Sequence, residues 1–311
     1  MHKSQKGSRS NKNKFILIGI GIAVIVIGVG VAISMQNSSS SPTSNSRNIF
    51  WRHVHGLGID PSDRSILYIA THGDFYQSIN GGIPVKVDKN RADYMAFNAP
   101  QSVGNPLYAS GHPLTGGNTG LIRSTDGGQT WEHVSNVLEP PVDFHAMAVS
   151  KSDPNVILGF DSGGCGLFKT ADAGKTWEKL EYPEYILALA ISPQDSQVVF
   201  AGTEKGIFQS SDGGKNWIQL DQYKGIMIIA LSFDEDDVLY ASNKFGLSRS
   251  SDHGVTWEKI NGPDLTITSA AIDSENKIIY VAGYSAGSFQ EIYKSSDDGK
   301  SWQLIGTNKE S

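Results

Sequence analysis

Four of the eight histidines in this chain stand at corresponding points of similar segments. His55 and His145 open two apolar runs (H-G-L-G-I-D and H-A-M-A-V-S), whereas His72 and His112 close two others (I-A-T-H and A-S-G-H). Imidazoles gathered with a carboxylate in a concave site suit Zn, Cu, Fe or Ni. Asp143, Asp161 and Glu204 fall at comparable points and supply the acidic candidates. His55, His72, His112 and His145 are thus the candidate metal ligands, and with the three acids they form the candidate ligand-binding set. A transition metal is the cofactor this set suggests. Without one, the same groups would be polar rim residues satisfied by backbone carbonyls or water. His53 is assigned to the sheet face opposite His55, and His133 and His253 to the surface.

Such positions converge only if a repeat places them. One octet recurs five times, [S/T]-x-D-x-G-x-x-W, carried by Asp126 and Trp131, Asp172 and Trp177, Asp212 and Trp217, Asp252 and Trp257, and Asp297 and Trp302. The Asp-to-Asp steps are 46, 40, 40 and 45 residues, a period that signals a radial array of small sheets. The octet has the chemistry of a hairpin turn. Its Asp and Ser/Thr accept from nearby backbone N–H groups, its Gly allows positive φ, and its Trp covers the turn. A sixth, degraded copy, Ser78-Ile-Asn80-Gly-Gly82, stands 46 residues before Asp126 with Asn as the expected turn acceptor.

The octet resembles the Asp-box of BNR-repeat β-propellers, the sialidase-like, sortilin-like and photosystem assembly-factor-like group, over roughly residues 50–311. That resemblance implies an all-β propeller whose boxes lie on the outer turns, away from the ligand face. The expected architecture is six four-stranded blades. Trp51-Arg-His-Val54 reads like the fourth strand W-E-H-V at 131–134 and is expected to pair with the last blade and close the ring, with a seventh, partial blade as the alternative. Between boxes, first strands alternate small with larger apolar residues, as suits a crowded axis. Adjacent strands run antiparallel, so the start of a first strand and the end of a second share one face, opposite the boxes. That is where the four histidines are expected.

The leader is different in kind. Residues 15–34 are 20 uncharged residues rich in Ile, Val and Gly, long enough to span a bilayer as a transmembrane signal-anchor. The preceding tail, residues 1–14, carries Lys3, Lys6, Arg9, Lys12 and Lys14 without an acid and is expected in the cytoplasm. A signal peptide cleaved after Ala32-Ile-Ser34 is the competing reading. Residues 35–48 form a flexible Ser/Asn-rich linker, and 49–311 the propeller. The expected location is the cell membrane, single-pass, with the propeller outside. Of 26 Lys/Arg and 32 Asp/Glu, five cations belong to the tail, which leaves 21 against 32 beyond it. So acidic a domain argues against nucleic acid as partner. Cys165 is the sole cysteine, so no internal disulfide forms.

The resemblance also bears on function. Sialidases of this group use three arginines, a Tyr/Glu pair, a further acid and an F/Y-R-I-P strand. Here the arginines beyond the leader are Arg47, Arg52, Arg64, Arg91, Arg123 and Arg249, the last two directly before boxes, and no F/Y-R-I-P occurs. The sialidase catalytic set is absent. The favoured reading is a membrane-tethered binding or assembly module whose ligand (protein, peptide or glycan) sits on the His-bearing face. The alternative is a glycoside hydrolase that is not a sialidase, which would need two carboxylates about 5–10 Å apart across a sugar. Asp143, Asp161 and Glu204 are the candidates.

Overall fold

A computed structural model describes Trp51 and residues 53–308. The expected basic tail, transmembrane segment and linker all lie outside the described residues. Among the described residues, no helix is long and apolar enough to cross a membrane.

Among the described residues, 24 strands form six antiparallel four-stranded sheets, each contiguous in sequence. The first strands, Val54–Ile59, Ala92–Asn98, Phe144–Val149, Ile186–Ile191, Ala230–Phe233 and Thr266–Asp273, line a central channel of about 280 Å³. Each touches the next, and the last touches the first, so the ring closes. The alternation of small and large residues follows from this crowding. A Cβ added at Gly58 would lie 2.3 Å from that of Ala99 on the neighbouring blade.

Each of six buried apolar clusters draws its residues from two adjacent blades, so the core is a set of blade-to-blade seams. The boxes hold these seams at their outer ends. Ser124 Oγ donates to Asp126 Oδ1 at 2.8 Å and accepts the Gly128 N–H at 2.9 Å. Asp126 accepts the Thr130 N–H and hydroxyl at 2.9 and 2.6 Å. The carboxylate thus ties down the residue four places on, further along than the one or two places typical of such turns. Gly128 has φ +87°, and a Cβ there would lie 2.3 Å from the Phe75 ring of the preceding blade. Trp131 stacks edge-on to the same ring, at 5.3 Å. Each box therefore shapes a hairpin and docks its blade onto the one before it.

The degraded box departs from this. Asn80 supplies a left-handed backbone (φ 56°), and Ser78 Oγ donates to the Gly82 carbonyl instead. No Trp follows, and Val85 in its place is exposed. The missing indole comes from elsewhere. Trp51, 2% exposed, fills the seam between the sixth and first blades, where it meets Tyr76 edge-on at 5.6 Å and packs beside Ile305 and Gly306. Asn308 Nδ2 donates to the Trp51 carbonyl at 3.2 Å. Trp51 and His53 are not strand residues. Residues 303–307 already supply the fourth strand of the last blade, so the expected strand exchange is replaced by one buried side chain and the blade count is six.

Candidate functional site

Pairing between first and second strands breaks at the same point in five blades. The residue omitted from the ladder is His55, Met95, His145, Leu187 or Thr268, and Ile229 holds the same position in the blade between the last two. A bulge re-aims its extra side chain. All six residues line the channel mouth on the face opposite the boxes. Residues two positions earlier, among them His53, Asp93 and Asp143, stand just outside that ring.

At the first and second blades, Asp93 organises a cluster. Its Oδ1 lies 3.1 Å from His55 Nε2, and its Oδ2 2.6 Å from Nδ1 of His72. His72 and Asp93 also form a backbone bridge between the blades. His55 Nε2 and Asp93 Oδ1 are both buried, and neither has a hydrogen-bond partner beyond this 3.1 Å approach to the other. Burial would raise the Asp93 pKa, but the surrounding imidazoles of His55, His72 and His112 outweigh it and hold the carboxyl below its usual range. His53 stacks on His55 (centroids 4.6 Å, interplanar angle 10°) and meets the Tyr284 hydroxyl at 2.8 Å. Burial, reinforced by His55 and His72, brings its pKa down to about 4.

A second cluster lies one blade on. Asp143 Oδ2 hydrogen-bonds His145 Nε2 at 2.8 Å and lies 3.3 Å from His112 Nε2. The other nitrogen of His112 reaches Asn118 Oδ1 at 3.2 Å. His112 pairs across the sheet with Asp93, so the two clusters are contiguous.

The four candidate histidines thus reach the expected face, in two pairs, each joined by an aspartate. Asp161 acts on the backbone instead, because its carboxylate accepts the N–H groups of Asp143 and Cys165, at 2.9 and 3.1 Å. It holds the loop that presents Asp143. Glu204 is exposed in a turn of the fourth blade, away from these contacts. The assignment of His53 to the opposite face is corrected: it precedes the strand, and its ring stacks on that of His55. Asp93 and Tyr284 are members that sequence reasoning missed. Aligning Met95-Ala96-Phe97-Asn98 beneath His145-Ala146-Met147-Ala148 puts Asp93 directly under Asp143. That signal was available in the sequence. His133 is exposed and meets Asn136 Oδ1 at 2.7 Å, while His253 sits in its box against Asp237 Oδ2 at 2.8 Å.

The rest of this face mixes apolar side chains with charged ones such as Lys205, Glu204 and Lys244. Leu114, Leu138, Tyr182, Tyr185, Met227 and Phe245 are exposed there, in loops at the ends of second and fourth strands. The opposite mouth carries an ion-paired cluster. Arg64, Lys151 and Glu235 come from turns of the first, third and fifth blades, so their pairing must cross the axis. Burial would raise the Glu235 pKa, yet Arg64 and Lys151 draw it below the usual range.

Fold and repeat together define an Asp-box β-propeller of the BNR-repeat type. Residues 119–245 match the family model for Sortilin-Vps10, described as sortilin, neurotensin receptor 3. No curated protein matches the chain. Among solved structures, the chain is similar to the GH74 enzyme of Niastella koreensis, with 17% identity and TM-score 0.62 over 81% of this chain and 45% of that one. The chain therefore spans less than half of that enzyme's length. It is also similar to a gluconolactonase from Xanthomonas campestris (14% identity, TM-score 0.57, covering 76% and 84% of the two chains). A third similar structure is YCF48 bound to D1 peptide (16%, TM-score 0.50, covering 81% and 82%). At these identities the likeness is one of fold.

Proposed function

We propose that this protein is a binding module that takes a peptide or protein segment on the His-bearing face, with the segment at 15–34 tethering it outside a membrane. One observation carries the reading. A single face combines imidazole–aspartate clusters on the first three blades with exposed aromatic and aliphatic residues on the second to fifth, around a channel mouth whose far end is crossed by ion pairs. Exposed apolar groups beside a concave polar site mark a recognition surface. YCF48, a protein of similar fold, is solved bound to the D1 peptide.

Sugar hydrolysis is the second reading, favoured by the two aspartates that flank His112. Asp93, held low, suits the ionised partner of such a pair and not its general acid. Binding is preferred because the exposed apolar side chains around the mouth extend the surface well beyond the two aspartates. Photocrosslinking residues at Tyr185 or Met227, and at Ile218 or Val255 toward the boxes, test it in cells expressing the full chain. Discrete adducts from the first pair alone support the reading. Adducts from the second pair alone, equal labelling of both, or none would overturn it.

A further inference from the structure

We propose that His55, His72 and Asp93 form a three-ligand site for one divalent transition-metal ion, with its open coordination position toward the His-bearing face. The proposal goes beyond the binding reading and does not depend on which macromolecule the face takes.

The geometry begins with three donor atoms (one from each residue) that all lie within 4.8 Å of one another. Ligands about 2.1 Å from a tetrahedral ion sit about 3.4 Å apart. The 3.1 Å between His55 Nε2 and Asp93 Oδ1 is close to that edge. His72 is 45% exposed and has room to widen its closer approach.

The second observation is independent of spacing. The His55 and Asp93 side chains are 10% and 6% exposed, yet beyond their mutual 3.1 Å approach Nε2 and Oδ1 have no partner. A buried donor or acceptor without a partner costs about 1–3 kcal/mol, so such pairs rarely persist unless something else satisfies them. An ion between the two atoms would satisfy both. The neighbouring cluster differs: Asp143 Oδ1 is likewise buried without a partner, but His145 is hydrogen-bonded to the other oxygen, and among the described residues the three-donor grouping is that of His55, His72 and Asp93. The site is therefore assigned to the first cluster alone.

Two imidazoles and one carboxylate suit borderline ions such as Zn²⁺, Co²⁺, Ni²⁺ or Cu²⁺ rather than Ca²⁺ or Mg²⁺, which take oxygen ligands. Three protein ligands leave a position for water or for a donor on the bound partner. His53, stacked on His55, and Tyr284 behind it fix the plane of the first ligand.

The test uses tag-free full chain in detergent, stripped of metal and titrated with Co²⁺ and Zn²⁺. The expected result is one equivalent bound per chain, nitrogen-ligand visible bands for Co²⁺, and a Zn²⁺-dependent rise in Tm. His72→Ala, at an exposed position, should weaken binding by about tenfold or more, as should Asp93→Asn where it folds, while His145→Ala leaves affinity unchanged. Should Asp93→Asn fail to fold, His72→Ala decides. No saturable binding by the wild type overturns the proposal. So does binding that survives His72→Ala or is lost in His145→Ala.

Discussion

Replacing Trp51 with alanine is expected to loosen the seam that closes the ring. The indole is 2% exposed, whereas the box tryptophans Trp131, Trp177, Trp217, Trp257 and Trp302 are only partly buried. A buried tryptophan hides roughly 150–250 Å², worth about 4–6 kcal/mol at roughly 25 cal/mol/Å². Alanine retains a little of this, and Trp-to-Ala changes in cores cost about 3–5 kcal/mol. We take about 4 kcal/mol. For a domain of this size each kcal/mol moves Tm by about 2–4 °C, so Trp51→Ala should lower it by about 8–16 °C. Trp217→Ala, at a seam braced by its own box, should cost about half as much. Thermal melts of both variants, followed by circular dichroism, make the comparison, and hydrogen exchange should rise first in residues 54–59 and 303–307. Equal losses in the two variants, or a loss under about 3 °C for Trp51→Ala, would refute the claim that this side chain replaces the missing box.

Acid should weaken the boxes in a defined window. Asp172 is pushed down to about 2 by the backbone N–H and hydroxyl of Thr176, Asp252 to about 2 by the hydroxyl and N–H of Thr256, and Asp297 to about 2 by those of Ser301. Their folded pKa values lie below the unfolded value of about 3.9, so this stabilisation is complete above that pH and lost as pH falls toward about 2. Melts from about pH 5 to 2 should show Tm falling, less steeply in Asp252→Asn. Gly128→Ala meets both a positive φ and Phe75 and should cost about 3 kcal/mol by urea denaturation. Gly246→Ala, at φ +105° with nothing within 4 Å, should cost about 1–2 kcal/mol. Similar costs would undo the seam argument. Glu235→Gln removes the carboxylate that Arg64 and Lys151 share, leaving Arg64 its 3.7 Å pair with Asp273, and should cost about 1 kcal/mol, less in added salt, as Tm would report.

The blades were legible in the sequence because the box is local. Its turn residues, glycine and tryptophan lie within eight positions, and five copies fix the period. The histidines' common face followed from strand direction alone. What escaped the sequence depends on neighbours in space. Asp93 meets His55 and His72 across a blade boundary, in a first strand whose Met95 breaks the pattern set by His55 and His145. Trp51 resembles a strand opener by its W-x-H-V context, but the last blade already has four strands, so only the side chain is used. Asp161 looked like a rim acid, and only the loop geometry shows that its oxygens serve backbone N–H groups.

The central claim is that partner recognition occurs on the His-bearing face. Its most direct test is crosslinking from a probe at Tyr185 in the full chain, alone and combined with alanine at His55, His72 and His145. The expected result is a discrete adduct that disappears in the triple variant while circular dichroism and Tm remain those of a folded propeller. An adduct of undiminished yield in that folded variant would contradict the claim.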